Sequence, residues 1–261
     1  MIGKILNERQ KIFIKKILYL GRNKYCNVCD SNIRNFIKGG IETEVSKKYK
    51  IIGGGVFEND ICPVCKTSYR QRLLEHYFLK NDLYNKQSTV LHIAPEKNIA
   101  QKLTKNIKIN YIAGDFNPEN YSFPEKILKL DITSLPFDNE LFDFVICNHV
   151  LEHVPEDLLA MSEIFRVLKK NGFGILQVPL SNVIENTLED KNIILPEERL
   201  SNYGQFDHVR LYQFNDYVNR LKSVGFEVKI FDPKVEEPSN YKYLYEKLCL
   251  NQEEKIIIAY K

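Results

Sequence analysis

No apolar run in this chain approaches the roughly 18 residues that would mark a membrane-spanning helix, so no membrane span is expected. The amphipathic start, MIGKILNERQKIFIKKILYL, holds no uninterrupted apolar stretch of the kind a secretory leader needs, because Lys15 and Lys16 break its only patch. It reads as a helix docked on the body of the protein, with weak membrane-surface contact as the alternative. Without an export signal a cytoplasmic location is expected, and the six cysteines are not read as a disulfide framework. Internal repeats and low-complexity tracts are missing. So is a dense Lys/Arg block interleaved with aromatics, the usual surface for tracking a nucleic-acid backbone.

What is present is the composition of a soluble globular protein. Hydrophobic residues make up 44% of the 261, charged residues 27%, and mean hydropathy is -0.32. That length fits one large domain, or a standard domain plus a small one. The net charge of +3 is unevenly spread. Residues 1–89 carry 17 Lys/Arg against 8 Asp/Glu, a balance of +9, and the rest carry 20 against 26, a balance of -6. A basic front half fits an anionic partner, such as a phosphorylated small molecule, a nucleotide or RNA; a solvated basic face explains it equally well.

The chain divides near residue 87. Before it, two Cys-x-x-Cys knuckles bracket short strands and turns that include Gly53-Gly54-Gly55, and a helix is expected from about Thr67 to Lys80. After it, strands and helices alternate. TVLHI (89–93), INYIA (109–113), ILKL (127–130), DFVIC (143–147), FGILQV (173–178), GFEVKIF (225–231) and KIIIAY (255–260) are short apolar runs of β-branched character. EDLLAMSEIFRVLKK (156–170) reads as a helix with Leu158, Met161, Phe165 and Leu168 along one stripe. The alternation predicts an α/β fold with a mostly parallel sheet covered on both faces.

Cys26, Cys29, Cys62 and Cys65 form two knuckles separated by 32 residues. Cys-x-x-Cys spacing lets two sulfurs face one ion at about 2.3 Å, and two knuckles complete a tetrahedron, so Zn2+ is the expected occupant. Four protein ligands leave no open position, which makes the ion structural. A redox dithiol and an iron–sulfur cluster are the alternatives. Cys147 and Cys249 lie in apolar runs and read as inert core thiols.

The most specific stretch is VLHIAPEKNIA followed by YIAGD and then LDITSLPFDNELFDFVICNHVLEHV. Residues Val90–Glu152 resemble the class I S-adenosylmethionine-dependent methyltransferases. The likeness extends over about residues 60–260, and its closest form is a subgroup with an N-terminal zinc ribbon, a CPxC…RxR stretch and a Leu-His-Ile-Ala-Pro-Glu turn, often found with bacterial surface-polysaccharide or phosphoramidate biosynthesis. The resemblance implies a Rossmann-like seven-stranded sheet preceded by the ribbon. It divides the chain into a helical segment (1–25), a ribbon with linking helix (26–87) and a methyltransferase domain (88–261). It also implies S-adenosylmethionine as cofactor. His92, Ala94, Pro95 and Glu96 then form the first cofactor turn, without the glycines usual there. Asp115 accepts the ribose hydroxyls, Asp131 reaches the adenine amino group and Ile132 covers the ring. Asn148 and His149 follow the fourth strand, where cofactor and substrate contacts lie.

If the methyl acceptor is a hydroxyl, a histidine suits the role of base. His208, in GQFDHVRLY, is the first candidate and His153 the second; Arg210 offers its planar fork to a phosphate. Arg70 and Arg72 are candidates for an anion clamp, with a solvated helix face as the plainer reading. The expected function is O-methylation of a phosphorylated or nucleotide-linked small molecule. An rRNA or tRNA methyltransferase using the ribbon to bind RNA is one alternative, although no Asn-Pro-Pro-Tyr-like signature for a base amine occurs. A non-catalytic zinc-ribbon interaction protein is the other.

Overall fold

A computed structural model describes residues 7–122 and 126–261. In chain order the elements are α1 (Glu8–Leu18), β1 (Leu20–Cys26), β2 (Ser31–Ile33), β3 (Ile37–Gly39), α2 (Glu44–Lys48), β4 (Phe57–Ile61), α3 (Tyr69–Lys80), β5 (Ser88–Ile93), α4 (Lys97–Thr104), β6 (Ile109–Asp115), β7 (Ile127–Lys129) and β8 (Phe142–Asn148). They continue with α5 (Asp157–Val167), β9 (Leu168–Gln177), β10 (Leu180–Ser181), β11 (Leu188–Glu189), α6 (Pro196–Tyr203), β12 (Arg210–Gln213), α7 (Phe214–Val224), β13 (Glu227–Phe231), α8 (Pro233–Glu236), α9 (Tyr241–Lys247) and β14 (Ile256–Tyr260).

Two compact units share this chain, and their borders are not the expected 25/26 and 87/88. The first comprises residues 1–41, 56–81 and 232–254, and the second residues 42–55, 82–231 and 255–261. The first unit therefore takes in α8 and α9, far along the chain. The second takes in the Gly53-Gly54-Gly55 loop, where Ile52 bridges to Leu180.

In the first unit the hairpins β1–β2 and β3–β4 carry the cysteine knuckles on a small core of Val28, Ile33, Phe36 and Val64. Arg72 of α3 is fully buried. It donates to the carbonyls of Asp60, Thr67, Leu248 and Cys249, and its guanidinium lies 3.7 Å from the Phe36 ring centroid. It ties the knuckles to the 232–254 segment and forms neither the solvated helix face expected of it nor the alternative anion clamp. Helix α1 starts at an Asn7–Gln10 capping box. Its apolar side is not docked as expected, for Phe13, Ile17 and Leu18 are all more than half exposed. The MIGKIL part of that reading lies outside the described residues.

In the second unit a seven-stranded sheet runs β13-β14-β9-β8-β5-β6-β7, with all strands parallel except β14, which is antiparallel to both of its neighbours. Its strands are the seven apolar runs of the sequence. Chain order reverses between β5 and β8, and such a reversal opens a crevice at the carboxyl ends of the two strands. Leu91, Val145, Cys147 and Leu176 of the sheet form one core with Ala160, Met161, Ile164 and Val167 of α5 and with Tyr217 and Leu221 of α7. Helix α5 is shorter and differently turned than expected. It stops at Val167 because Leu168 already pairs with Phe142 as the start of β9, and Leu158 faces solvent. No helix among the described residues is long and apolar enough to cross a membrane.

Candidate functional site

The four knuckle cysteines converge. Cys26 Sγ lies 3.7 Å from Cys65 Sγ, Cys29 Sγ lies 3.9 Å from Cys62 Sγ, and all four sulfurs lie within 4.8 Å of one another. A disulfide needs a separation of about 2.0 Å. A tetrahedral ion at about 2.3 Å from each sulfur sets them about 3.8 Å apart, so the set fits Zn2+. Cys249 packs beside the knuckles with its backbone on Arg72.

In the second unit a cavity of about 640 Å³ opens at the carboxyl ends of β5, β6, β7 and β8. That volume suits a nucleoside-sized ligand. Ala94, Asp115, Asp131, Ile132, His149 and His153 line it, joined by Phe116, Asn117, Thr133, Val150 and Asp207. The glycine-free turn is made by backbone geometry instead. Ala94 takes φ 51°, the left-handed region where glycine is favoured, and its amide donates to the Gly114 carbonyl at 2.9 Å. His149 does the same after β8, with φ 56° and its amide on the Gln177 carbonyl at 2.7 Å. The two turns bring Ala94, His149 and Val150 to the cavity.

Asp115 ends β6. Its Oδ1 accepts from the Asn117 amide at 2.7 Å and its Oδ2 from the Tyr121 hydroxyl at 2.7 Å, which fixes the carboxylate. Burial, reinforced by that bond, raises the Tyr121 hydroxyl well above its ordinary pKa, so it stays a donor. At Asp131, Oδ1 takes both the amide and the hydroxyl of Thr133, which holds the acid below the usual carboxylate range. Behind the cavity His92 is fully buried, with Nε2 2.6 Å from Glu96 Oε2 and Nδ1 3.1 Å from the Tyr111 hydroxyl. Glu96 Oε1 accepts from Asn148 Nδ2 at 3.2 Å. Burial pushes the Glu96 carboxyl up, but the His92 and Asn148 bonds outweigh it and hold the group below its ordinary value.

At the other end of the crevice, His153 and His208 meet edge to face with ring centroids 4.7 Å apart. Burial lowers the His208 pKa to about 4, with neighbouring His153 adding to the effect, so the ring is neutral at physiological pH. His208 does not border the cavity, whereas His153 does. Arg210 corrects an expectation. It is buried at 4% exposure, Nη1 donates to the Leu151 carbonyl at 3.0 Å and also to that of Val154, Nη2 donates to the Pro155 carbonyl at 2.8 Å, and Nε reaches Glu189 at 2.9 Å. Its fork braces the turn after β8 and is closed to a phosphate.

Residues 81–176, the stretch holding β5 to β9, match the family described as a methyltransferase domain. A segment of 77 residues is 38% identical to the uncharacterised protein MJ0638 of Methanocaldococcus jannaschii, covering 29% of this chain and 34% of that protein. The chain thus spans about a third of the curated relative it matches. Among solved structures, a SAM-dependent methyltransferase from Archaeoglobus fulgidus is similar at 20% identity and TM-score 0.47, covering 75% of this chain and 95% of that one. The YcgJ protein of Bacillus subtilis is similar at 16% identity and TM-score 0.43, covering 71% and 98%.

The sheet brings Ala94, Asp115, Asp131, Ile132, His149 and His153 to one cavity and sets His92, Glu96 and Asn148 behind them; Pro95 is buried in the turn. Sequence reasoning missed Phe116, Tyr121 and Glu152, and took Asp207 only as the acid beside His208. Phe116 directly follows the acid that ends β6 and stays 61% exposed at the cavity, so an aromatic after that acid was a readable signal. Tyr121 and Asp207 reach the site through loop geometry that no short pattern encodes.

Proposed function

We propose that the protein is an S-adenosylmethionine-dependent O-methyltransferase acting on a phosphorylated or nucleotide-linked small molecule, with Zn2+ as a structural ion in its cysteine cluster. The observation that carries this reading is the pair of fixed carboxylates, Asp115 and Asp131, on neighbouring strand ends of one cavity. Asp115 binds two ribose hydroxyls through its remaining lone pairs. Asp131 keeps Oδ2 for an adenine amino group, while Ile132 and Phe116 supply apolar surface for the ring. When bound, the cofactor supplies a methyl group on a sulfonium that keeps the S–C electron pair, and the acceptor oxygen gives up its proton as the O–C bond forms. On this reading the acceptor end lies toward β8, where His149, His153 and Asp207 meet the cavity. Their task is to hold the hydroxyl in line, exclude water and lower the cost of losing the proton. The basic balance of residues 1–89 favours an anionic acceptor. A role in bacterial surface-polysaccharide or phosphoramidate biosynthesis and a cytoplasmic location belong to the same reading.

The test is calorimetric titration of zinc-replete protein with S-adenosylhomocysteine, repeated with Asp115→Ala. Binding that the substitution abolishes supports the site and opens screening of phosphorylated and nucleotide-linked acceptors. No binding by the folded wild type would favour a non-catalytic interaction protein. Methylation of RNA alone would refute the small-molecule acceptor.

A further inference from the structure

The turn after β8 carries a cluster that cofactor binding does not use. One ligand-type atom each from Glu152, His153 and His208 lies within 4.8 Å of the other two. Glu152 is 1% exposed and His208 3% exposed. A carboxylate this deep is costly unless it is paired or coordinates a metal; Glu152 Oε1 lies 3.5 Å from His149 Nδ1 and 3.9 Å from His153 Nε2.

The hydrogen-bond pattern shows which nitrogens are available. His208 Nδ1 is buried and has no hydrogen-bond partner. The ring bonds instead to the backbone of Tyr203, a contact that falls to Nε2. A carbonyl acceptor fixes hydrogen on Nε2 and leaves the lone pair on Nδ1, inside the cluster. His153 is arranged the same way. Its Nδ1 lies 3.3 Å from the Asp207 carbonyl oxygen and 3.4 Å from Asp207 Oδ2, while Nε2 points to Glu152 Oε1 at 3.9 Å. The last separation is too long for a hydrogen bond. It is the kind of span found between two ligands that share an ion about 2.0–2.2 Å from each. Metal-binding histidines characteristically donate their other ring nitrogen to a carbonyl or carboxylate, as both of these do.

We propose that Glu152, His153 and His208 form a divalent transition-metal site in the wall of the methyltransferase cavity, separate from the cysteine cluster. Two imidazoles and one carboxylate suit Zn2+, Mn2+ or Fe2+ better than Mg2+ or Ca2+. Three protein ligands would leave positions open, and because His153 borders the cavity an acceptor bound there would be near the ion. The following step rests on the methyl-transfer reading. The acceptor would present its hydroxyl beside a second oxygen donor, such as a neighbouring hydroxyl or phosphate, so that both oxygens bind the ion. Binding lowers the hydroxyl pKa, and its proton passes to water. His153 and His208 then act as ligands and do not serve as proton acceptors.

The experiment adds MnCl2 to full-length protein loaded with one Zn2+ per chain, which the four thiolates take, and follows free and bound Mn2+ by electron paramagnetic resonance, with neither cofactor nor acceptor present. Mn2+ is a hard ion and competes poorly for four thiolates, so the cysteine cluster keeps its zinc. One saturable Mn2+ per chain is expected, with nitrogen modulations from imidazole ligands in the pulsed spectrum. His153→Asn and His208→Gln should each weaken binding at least about tenfold. His153 is partly exposed, so His153→Asn remains informative if the buried His208→Gln variant fails to fold. Absence of saturable Mn2+ binding by the wild type, or unchanged affinity in folded His153→Asn, would overturn the site. S-adenosylhomocysteine binding without Mn2+ binding would leave the methyltransferase reading standing and remove the metal; the reverse result would do the opposite.

Discussion

The His92 imidazole lies 2.6 Å from the Glu96 carboxylate, joining the end of β5 to the start of α4 behind the cofactor turn. Nε2–H donates to Glu96, and Tyr111 completes the pattern by donating to Nδ1. The pair holds the glycine-free turn in place from behind.

Glu96→Gln should therefore destabilise the protein at neutral pH, by about 1.5–3 kcal/mol for a hydrogen bond to a charged group. The Glu96 carboxyl is held below its ordinary value of 4.5. Its contribution is fully present above that value and is lost as pH falls through the lower value of the folded state. Denaturant unfolding at pH 7 and near pH 4 checks this, with the gap between wild type and variant narrowing in acid.

Tyr121→Phe removes the hydroxyl that fixes Asp115 Oδ2 but leaves the ring. A neutral hydrogen bond contributes about 0.5–1.5 kcal/mol, so S-adenosylhomocysteine should bind roughly 2- to 12-fold more weakly. The thermal midpoint should barely move. A large loss of stability with unchanged affinity would place Tyr121 in the fold and not in the site.

Much of the fold could be read in the sequence because the seven sheet strands are short β-branched runs whose burial is set locally. The helix after β8 was found but misplaced in phase. Leu158 and Leu159 are adjacent apolar residues that offer two alternative stripes, and only packing on the sheet selects Ala160, Met161, Ile164 and Val167. Unit membership was not legible, since the return of residues 232–254 to the cysteine knuckles depends on Arg72 meeting the Leu248 and Cys249 carbonyls across the chain. In the site, Asp115 and Asp131 stand at strand ends and were readable. Arg210 was misread because a charged residue beside His208 resembles a ligand contact until its donors are seen on carbonyls.

Arg210→Lys follows from that correction. Lysine keeps the charge but cannot serve three carbonyls and Glu189 with a fixed fork. The variant should lose about 1–3 kcal/mol of stability, the cost of leaving buried acceptors unsatisfied. Its KM for the acceptor should stay within about threefold of wild type wherever the variant is folded. A selective rise in KM without loss of stability would restore the phosphate-binding role.

Zinc removal tests the first unit. Its core is small, built on Val28, Ile33, Phe36 and Val64, and the four sulfurs sit at tetrahedral spacing around a common centre. Structural zinc sites contribute on the order of 10 kcal/mol, more than such a core can replace. A strong chelator should release one Zn2+ per chain and erase the far-ultraviolet signature of this unit, and Cys62→Ser should do the same without chelator. The chain has no tryptophan, so circular dichroism with tyrosine fluorescence is the natural readout. Metal-free protein that kept its thermal midpoint would mean that Arg72 and its carbonyl partners hold the knuckles without an ion, and the cysteine cluster would then have to be explained by redox chemistry.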